Sequence, residues 1–478
     1  MRRSGLAREY LLSAGETIKP GEYAILTIIL IILIFGISIQ AQNSNSILVN
    51  GNVLWANDSI SYFPDQVIIQ SRYDPALIKF AEVDSGGKFE LLLPQGSYIA
   101  TPASNYHWHR DWDQDFIRIN EASSKTFFEI DSTTSEMHPT LLLDTLTLRT
   151  TIPEQGILFN FDRTNTKRLD EFILQNLEFY QIPGASLAVI KNGQVVYAKA
   201  YGVTNPITKQ PTDQSTLFEF GSITKPVFTF VVMRLSERGT IDLDKPLYEY
   251  LPFPEVAHDK RYKLITARHV LSHQTGLPNW AERNEKGEFD LLFTPGTNFG
   301  YSGEGFEYLK RVVIKLLHKD IQSILKEELI EPLDLKNFYF ETNDYVLKNI
   351  ADGFYRGTPT RSGFAEPNMA ASLMTNPVDF AKFVIAIRNK TGLLNETYQE
   401  IFTKQVVINE ALSRGLGFEL RNDNIGESYG HTGITHDFVS FYRYHPEADI
   451  GFVFTANNIT GGWLTLVTLK QFLITGKN

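Results

Sequence analysis

A serine and a lysine three residues apart, Ser222 and Lys225, are the residues of this sequence best suited to covalent chemistry. The preceding Gly221 indicates a turn that opens a helix, with the serine at the first helical position. Helical residues three apart share one face, so the lysine amine can reach the serine hydroxyl. A desolvated lysine can activate a serine nucleophile, and the free N–H groups of a helix N-terminus favour developing negative charge. The pattern therefore predicts a nucleophilic serine.

The spacing alone is weakly specific, because it recurs at Ser85 with Lys88 and at Ser323 with Lys326. The first pair lies in a Gly-Gly turn and the second inside an amphipathic helix. Ordinary helix capping by serine is the alternative explanation for any such pair. Ser222 differs from the others because a glycine precedes it and a helix follows it.

Composition bounds the class of protein. The chain has 478 residues, 43% hydrophobic and 21% charged, which predicts a sizeable core and two or three domains of about 100–200 residues. The net charge of −10 and the lack of a basic stripe argue against a nucleic-acid partner. The absence of cysteine excludes disulfides, thiolate metal ligands and a cysteine nucleophile.

An apolar run covers residues 24–39. It is short for a membrane span, which needs about 20 residues, and basic residues precede it while the small residue Ala41 follows it. These features predict a secretory signal peptide over residues 1–42, with an uncleaved membrane anchor as the alternative. Either places the rest of the chain outside the cytoplasm, in the periplasm or secreted.

Residues 43–150 have the pattern of a small all-β domain. Segments at 47–49, 53–55, 66–70 and 88–93 are strand-like and are separated by turn residues, which is typical of a β-sandwich. Their order resembles the carboxypeptidase regulatory-like sandwich. We therefore expect an accessory β-sandwich here.

One segment of this region is unusually polar. If residues 107–115 form a strand, two histidines and three aspartates share one face: His107, His109, Asp111, Asp113 and Asp115. A metal site or a sugar-binding platform is one hypothesis. An exposed polar face is the simpler one, and we expect no metal.

From residue 151 onward, helices and strands alternate. The pattern predicts a helix over 159–180, a hairpin turning at Asn192-Gly193, a helix from Ser222 toward Gly239, strands at 438–443 and 450–455, and a last helix over 462–473. Strands at both ends with helices between them predict one α+β domain over 151–478, with a mixed sheet assembled from distant segments.

Three segments in order make the Ser222 pattern specific: residues 220–225 with the serine and lysine, 294–303 with a tyrosine, and 430–433, which read Gly-His-Thr-Gly. Together they resemble the three motifs of the serine β-lactamase and penicillin-binding superfamily, in its class C branch. The resemblance covers about residues 159–473. It implies a class C β-lactamase-like fold, with a mixed or antiparallel sheet flanked by helices plus an all-helical region, preceded here by the small sandwich.

The resemblance also implies roles. Ser222 would attack an acyl carbon and Lys225 would take its proton or orient the base. Tyr301 would shuttle a proton to the leaving group, its phenolate favoured by nearby cations. His431 with Thr432 would hold a substrate carboxylate or complete the proton path.

The tetrahedral oxyanion would be held by the backbone N–H groups of Ser222 and Ile434, the residue after Gly433. Such donors are worth about 3–4 kcal/mol each. The result is a double displacement through an acyl-enzyme.

Two positions depart from the β-lactamase pattern. Gly303 stands where those enzymes usually have an asparagine that contacts substrate and positions the lysine, which puts efficient β-lactam hydrolysis in doubt. His431 stands where they usually have lysine, and histidine titrates near about 6.5 instead of about 10.4. This form is common in esterase and peptidase relatives. His436 falls at the expected rim without an assigned role, and no glutamate stands out for deacylation.

Two further histidines, His269 and His273, are spaced i, i+4 on an expected helix. A zinc site is one hypothesis, but no glutamate follows His269 as the zinc-protease pattern requires. Structural packing is favoured.

The sequence thus predicts a serine hydrolase of the peptidase family S12 or esterase type, without cofactor or metal. Its substrate would be a small molecule or a peptidoglycan-type compound: a D-amino-acid peptide, an ester or an amide. The alternative is a catalytically weak penicillin-binding or wall-fragment-sensing protein on the same fold.

Overall fold

The computed structural model describes residues 46–55, 66–72, 78–84, 87–103, 108–110, 116–119, 126–130, 134, 137–138, 140–143, 145–148, 153–355, 358–360 and 362–476. The predicted signal or anchor segment lies outside these residues, and so do His107 and the three aspartates of the polar segment. Within the described ranges, no helix combines the length and apolarity needed to span a membrane. The chain divides into two compact units, one with the described residues up to 103 and those of 119–145, the other with those of 108–118 and from 146 onward.

The N-terminal part of the chain is built of short strands. They are β1 (Ile47–Trp55), β2 (Gln66–Ser71), β3 (Ile78–Glu82), β4 (Lys88–Leu93), β5 (Gly96–Ala103), β6 (Trp108–Arg110), β7 (Phe116–Ile119), β8 (Thr126–Ile130), β9 (Thr140–Leu143) and β10 (Thr145–Leu148). Three sheets form, in the orders β4-β1-β9, β3-β2-β5-β8 and β10-β7-β6.

The first two sheets contribute to one hydrophobic cluster, which includes Val49 and Phe89 from one sheet and Val67 and Tyr98 from the other. The segments expected as two strands at 47–49 and 53–55 form the single strand β1. A glycine at position 51 is required because a Cβ there would lie 2.0 Å from Cζ of Phe89. The assignment of residues 43–150 to an accessory sandwich stays a prediction.

The second unit contains the remaining strands. They are β11 (Gly184–Lys191), β12 (Gln194–Asn205), β13 (Gln210–Pro211), β14 (Phe218–Gly221), β15 (Gly353–Tyr355), β16 (Thr358–Thr360), β17 (Leu373–Thr375), β18 (Val406–Asn409), β19 (Leu412–Arg414), β20 (Glu419–Asp423), β21 (Gly426–Ile434), β22 (Val439–His445) and β23 (Ile450–Ala456). The main sheet has the order β13-β12-β11-β23-β22-β21-β20-β19-β18, and small two-stranded sheets pair β14 with β17 and β15 with β16.

Helices cover both faces of this sheet. They are α1 (Arg163–Phe179), α2 (Thr224–Glu237), α3 (Ala267–Leu271), α4 (Gly303–Leu317), α5 (Ile321–Leu325), α6 (Asp344–Asn349), α7 (Pro377–Arg388), α8 (Asn395–Phe402) and α9 (Ile459–Lys470). Short 3₁₀ turns occupy Ile157–Asn160, Leu247–Glu249, Pro254–Val256 and Lys260–Leu264, and π turns occupy Lys326–Ile330 and Gln471–Thr475.

The central strand β11 shows why the sheet must be covered on both faces. Successive side chains of a strand point to opposite faces, and Leu187 and Val189 join one core with residues of α1 and α9. Ala188 and Ile190 join the other core, with residues of α2 and the helical region. Residues 187–190 of this strand are therefore consecutively apolar, and the predicted α+β architecture of a sheet flanked by helices is confirmed.

Two local predictions are confirmed in detail. Asn192 and Gly193 turn the β11–β12 hairpin with φ of 52° and 68°, the positive values that such a turn requires. The sheet joins distant segments because β11 pairs antiparallel with β23. The main-sheet pairings are antiparallel.

Candidate active site

The nucleophile turn joins β14 to α2. Helix α2 begins at Thr224, so the prediction that Ser222 is the first helical residue is wrong: Ser222 lies in the preceding turn, where Lys225 N–H donates to its carbonyl at 3.1 Å. Gly221 has φ of 51°, and a Cβ there would lie 2.9 Å from the backbone nitrogen of Ile434. Only glycine combines this backbone conformation with so close an approach of strand β21.

The Lys225 side chain is buried directly beneath Ser222. Its Nζ lies 3.2 Å from Ser222 Oγ and donates a hydrogen bond to the carbonyl of Ala370 at 2.8 Å. Burial, followed by the positive charge of Arg414, lowers the pKa of Lys225 to about 7, against a weaker opposing effect of Glu307. A substantial fraction of this amine is therefore neutral near pH 7 and able to accept a proton.

Tyr301 approaches the same serine from the other side. Its hydroxyl is hydrogen-bonded to the Ser222 side chain, and Lys225 Nζ lies 4.7 Å from the centre of its ring. Burial raises the pKa of Tyr301 to about 12, although Ser222 and Arg414 act in the opposite direction. The expectation of a phenolate favoured by nearby cations is therefore wrong, because desolvation outweighs them, and Tyr301 keeps its proton.

His431, on β21, is buried and electrically neutral. Its Nδ1 lies 2.7 Å from the carbonyl oxygen of Thr432 and donates to it, and its buried Nε2 has no hydrogen-bond partner among the described residues. Burial, followed by Arg414, lowers the pKa of His431 to about 3. A neutral ring lacks the charge for holding a carboxylate, and a pKa this low makes the free Nε2 lone pair a hydrogen-bond acceptor and not a base near neutral pH.

The end of β21 provides the second predicted oxyanion donor. Thr435 N–H donates to the carbonyl of Phe438 at 3.1 Å. Alternation in an antiparallel ladder then turns the N–H of Ile434 away from β22, on the side where Gly221 approaches. In the described backbone, the N–H of Ser222 donates to no carbonyl, so both groups are available to an oxyanion.

Two glycines, Gly433 and Gly303, lie where the site has no room for a side chain. A Cβ at Gly433 would lie 1.8 Å from the carbonyl oxygen of Phe220, so this position brings β21 against the nucleophile turn. At Gly303, the first residue of α4, a Cβ would lie 2.6 Å from Cη2 of Trp280. The indole therefore occupies the space that a side chain at 303 would need. No local pattern in the sequence marks this role of Trp280.

The two histidines of the zinc hypothesis have different structural roles. His269 caps α3, with Nδ1 3.4 Å from the N–H of Thr266. His273 is stacked on Tyr301 with ring centres 4.2 Å apart, and its Nδ1 accepts from the N–H of Ser302 at 3.2 Å. The described residues contain no group of three side chains suited to hold a metal ion. Packing was the favoured expectation, but the sequence did not show that His273 packs on the site tyrosine.

A buried ion-pair cluster beside the site was not expected from the sequence. Glu419 on β20 accepts from Arg421 at 2.7 Å and from Arg443 at 3.2 Å, and Arg414 on β19 lies 4.0 Å from it. Burial raises the pKa of Glu419, but the three arginines outweigh it and hold this pKa well below its usual range. Glu419 is therefore an ionised carboxylate at neutral pH. We call these four residues the arginine–glutamate cluster.

One cavity of about 1010 Å³ connects these groups. Its lining includes Ser222, Tyr301, His431, Thr432, Ile434, Trp280, Arg414, Glu219, His436 and Asp437. The wall with Glu219 and Asp437 is acidic, and burial raises the pKa of Glu219, which accepts from the N–H of Gly363 at 2.8 Å. Exposed His436 lies on the cavity lining, where the sequence placed it.

Comparison with known proteins adds a family match. A family model described as Beta-lactamase matches residues 169–462. This stretch contains the serine, lysine, tyrosine and histidine positions described above.

Curated relatives match over part of their length. "Protein flp" of Staphylococcus aureus (strain MW2) is 23% identical over 315 residues, which cover 61% of this chain and 63% of that protein. "Esterase EstB" of Burkholderia gladioli is 33% identical over 126 residues, 26% of this chain and 32% of that protein. The chain thus spans 63% of the length of the first of these relatives.

Two solved structures share the fold. The octameric penicillin-binding protein homologue from Pyrococcus abyssi superposes with a TM-score of 0.55 at 23% identity, covering 64% of this chain and 79% of that one. EstCE1, described as a hydrolase with promiscuous acyltransferase activity, superposes with a TM-score of 0.57 at 20% identity, covering 65% of this chain and 99% of that one. The predicted β-lactamase-like fold is confirmed.

Proposed function

The chain belongs to the β-lactamase family, and from this membership and the geometry of the site we propose that it is a serine hydrolase that forms an acyl-enzyme on Ser222. One observation carries the proposal. The Nζ of Lys225 lies 3.2 Å from Ser222 Oγ while burial and Arg414 lower the pKa of this lysine to about 7. A base within reach and near neutrality is what a serine nucleophile needs.

Acylation begins with attack of Ser222 Oγ on the acyl carbon. The hydroxyl proton passes to the neutral amine of Lys225, and the carbonyl oxygen becomes an oxyanion. This oxyanion accepts hydrogen bonds from the backbone N–H groups of Ser222 and Ile434. Each such donor is worth about 3–4 kcal/mol because it is fixed before the charge develops.

Collapse of the intermediate requires a proton on the leaving group. Tyr301 supplies it as a phenol, since its pKa is raised to about 12 and its hydroxyl is hydrogen-bonded to Ser222. The proton held by Lys225 then restores Tyr301. In deacylation a water molecule attacks the acyl carbon and gives a proton to the neutral amine of Lys225. When the bond between the acyl carbon and Ser222 Oγ breaks, this proton passes to Oγ and restores the serine hydroxyl.

Peptidase or esterase action fits the site better than β-lactam hydrolysis. Gly303 has no side-chain amide to contact a substrate, and the Trp280 indole occupies the space where an asparagine side chain would begin. We propose an ester, an amide or a D-amino-acid peptide as substrate, in the manner of a family S12 enzyme. The esterase name of one relative and the description of one structural neighbour as a hydrolase with promiscuous acyltransferase activity support the ester first.

Intact-mass spectrometry with a fluorophosphonate probe tests the nucleophile. We expect one adduct on the wild type, none on Ser222→Ala, and an unchanged adduct on the matched control Ser323→Ala, whose serine also precedes a lysine by three residues. Absence of an adduct on the wild type would contradict the proposal.

Turnover of short p-nitrophenyl esters separates the two functional hypotheses. We expect many turnovers per wild-type molecule and none in Ser222→Ala. An adduct without turnover of any ester, amide or D-alanyl peptide would instead identify a penicillin-binding or wall-fragment-sensing protein.

We further propose that the enzyme acts outside the cytoplasm, in the periplasm, secreted or tethered through residues 24–39. The apolar run and the basic residues before it support this location. N-terminal sequencing of the protein recovered from each cell fraction tests it: recovery of the protein in the cytoplasmic fraction alone would contradict it.

A further inference from the structure

Tyr301 is the proton donor of the proposed mechanism, and His273 contacts both this tyrosine and its two chain neighbours. The imidazole of His273 is stacked on the Tyr301 ring, with the ring centres 4.2 Å apart and the planes 30° from parallel. Its Nδ1 accepts a hydrogen bond from the N–H of Ser302 at 3.2 Å. Its carbonyl oxygen accepts one from the N–H of Gly300 at 2.8 Å. One residue thus holds the segment 300–302 at three points.

The backbone of His273 is in the left-handed conformation, with φ of 58°. Residues other than glycine adopt this conformation rarely, because it is strained. It occurs here in a residue whose carbonyl and ring both contact the segment 300–302. Strain of this kind is concentrated at functional sites, where the surrounding contacts hold it in place. The strain indicates that the placement of His273 matters for function as well as for packing.

The imidazole of His273 is a neutral hydrogen-bond acceptor. The residue is 1% exposed, and burial, followed by the positive charge of Arg414, holds its pKa well below the ordinary value. The proton of the neutral ring is on Nε2, since Nδ1 accepts from Ser302. Protonation at Nδ1 would set two N–H donors against each other, so the burial that keeps the ring neutral also preserves this hydrogen bond.

Two phenylalanine rings pack against the imidazole. Phe299 meets it edge-on with ring centres 6.1 Å apart, and the centre of the Phe306 ring lies 5.5 Å away. They limit rotation of the imidazole, so the Tyr301 ring rests on a fixed surface. The hydroxyl of Tyr301 is hydrogen-bonded to Ser222. A proton donor must lie within hydrogen-bonding distance of the leaving group, and a misplacement of about 1 Å can cost about 10²-fold in rate.

We propose that His273 is a positioning residue that fixes Tyr301 as the proton donor to the leaving group. The stacked ring sets the plane of the phenol, and the two hydrogen bonds set the backbone on either side of it. His273 acts through Tyr301 and not on the substrate itself. The inference rests on the proposed function, since it assumes that Tyr301 transfers its proton to a leaving group.

Two esters of the same acid test this role: p-nitrophenyl butanoate and ethyl butanoate. p-Nitrophenolate leaves as a stable anion and needs little help from an acid, whereas ethoxide must receive a proton as it leaves. The measured quantity is the ratio of kcat/KM for p-nitrophenyl butanoate to kcat/KM for ethyl butanoate. A variant that only destabilises the fold or perturbs the base slows both esters and leaves this ratio unchanged.

We expect the ratio to rise tenfold or more in His273→Ala, because a misplaced Tyr301 slows the ethyl ester most. His273→Asn should show a smaller rise, since asparagine tolerates a positive φ and keeps an acceptor for the N–H of Ser302 while it loses the stacking. The control His269→Ala removes the histidine that caps α3 and should keep the wild-type ratio. An unchanged ratio in His273→Ala, or an equal rise in His269→Ala, would overturn the proposal.

A double variant shows whether His273 acts through Tyr301. Tyr301→Phe removes the proton donor and should raise the ratio at least as much as His273→Ala does. Adding His273→Ala to Tyr301→Phe should then change the ratio no further, and a further rise would overturn the assignment. If a thermal melt shows that His273→Ala does not fold, His273→Asn takes its place, and a wild-type ratio in that variant overturns the proposal.

A spectroscopic measurement separates failure of this proposal from failure of the proposed function. If the wild type hydrolyses neither ester, the proposed function fails, and fluorine NMR of protein that carries 3-fluorotyrosine at position 301 still tests the contact. We expect one narrow resonance in the otherwise wild-type protein, a shifted and broadened resonance in His273→Ala, and no change in His269→Ala. The same resonance in all three proteins would overturn the positioning role.

Discussion

Two groups of ionisable side chains meet at one cavity. Both are buried, but one group is largely neutral near pH 7 while the other stays charged. In the proton-transfer group, which is Lys225, Tyr301 and His431, the pKa values of about 7, 12 and 3 mean that tyrosine and histidine are neutral near pH 7 and lysine is partly neutral. In the arginine–glutamate cluster, Glu419 stays ionised.

The neighbours of each group explain the difference. Burial disfavours charge in both places. Lys225 and His431 have the like charge of Arg414 beside them, which adds to the effect of burial. Glu419 has three positively charged arginines beside it, and their lowering of its pKa outweighs the raising effect of burial. Arg414 belongs to the cluster and acts on the proton-transfer group, so one side chain couples the two.

The largest expected effect comes from removing the base of the proton-transfer group. Lys225→Met keeps the length of the side chain but has no lone pair for the Ser222 proton, so kcat/KM for an ester should fall about 10²–10⁴-fold. The measurement is initial rates together with a thermal melt. The control Lys326→Met, which alters the exposed lysine of the Ser323 pair, should retain activity. Wild-type rates in Lys225→Met would refute a basic role.

The next effect concerns the cluster. Glu419→Gln leaves three arginines without their carboxylate, and breaking a buried ion pair in this way should lower the free energy of unfolding by about 3–5 kcal/mol. Urea unfolding measures it. The control Glu427→Gln removes an exposed carboxylate that pairs with Lys404, and should cost about 0–1 kcal/mol. Similar losses in both variants would show that Glu419 does not hold the cluster.

The same carboxylate gives this stability a pH dependence. Its folded pKa lies below the ordinary value of 4.5. Its contribution is therefore present above about pH 4.5 and is lost as the pH falls below that value, where the unfolded chain binds the proton first. Glu419→Gln should show a flatter acid side in a plot of unfolding free energy against pH.

A smaller effect should appear at the wall of the proton-transfer group. Gly303→Asn would overlap the exposed Trp280 indole and the carbonyl oxygen of Asn279, because a Cβ lies 2.6 Å from Cη2 and 2.9 Å from that oxygen. Crowding against backbone that cannot turn away costs about 1–3 kcal/mol. Trp280→Ala should relieve part of that cost. A double-mutant cycle of unfolding free energies measures the coupling. Strict additivity would mean that the two side chains do not share this space.

The smallest effect is a shift of a pH profile. With a neutral ester, kcat/KM should rise with pH through about 7, as Lys225 loses its proton. Arg414→Gln removes a cation that disfavours the ammonium form, so the acid limb should move to higher pH. An unmoved limb would show that the cluster and the proton-transfer group are not coupled through Arg414.

The sequence by itself determined part of the second unit, including its first hairpin, the helix after Ser222 and two strands near its C-terminal end, and the identity of the residues at the nucleophile turn. Asn192-Gly193 fixed a hairpin because few other residues adopt two positive φ values in succession. The serine, tyrosine and histidine segments indicated the family because each motif is recognised from the residue types and the spacing within a few positions, and because the three motifs follow one another in the expected order. The start of α2 was predicted two residues too early, because Ser222 lies in the turn before Thr224.

Only the tertiary structure decided the protonation states and the remaining walls of the cavity. Arg414, Glu419 and Trp280 come from segments far from Ser222 in the chain, and nothing in their local sequence marks them. The phenolate expected at Tyr301 depended on weighing desolvation against nearby cations, which requires knowing how deeply each group is buried. A pKa is set by burial and by the charges within a few ångströms, and those distances exist only in the folded chain.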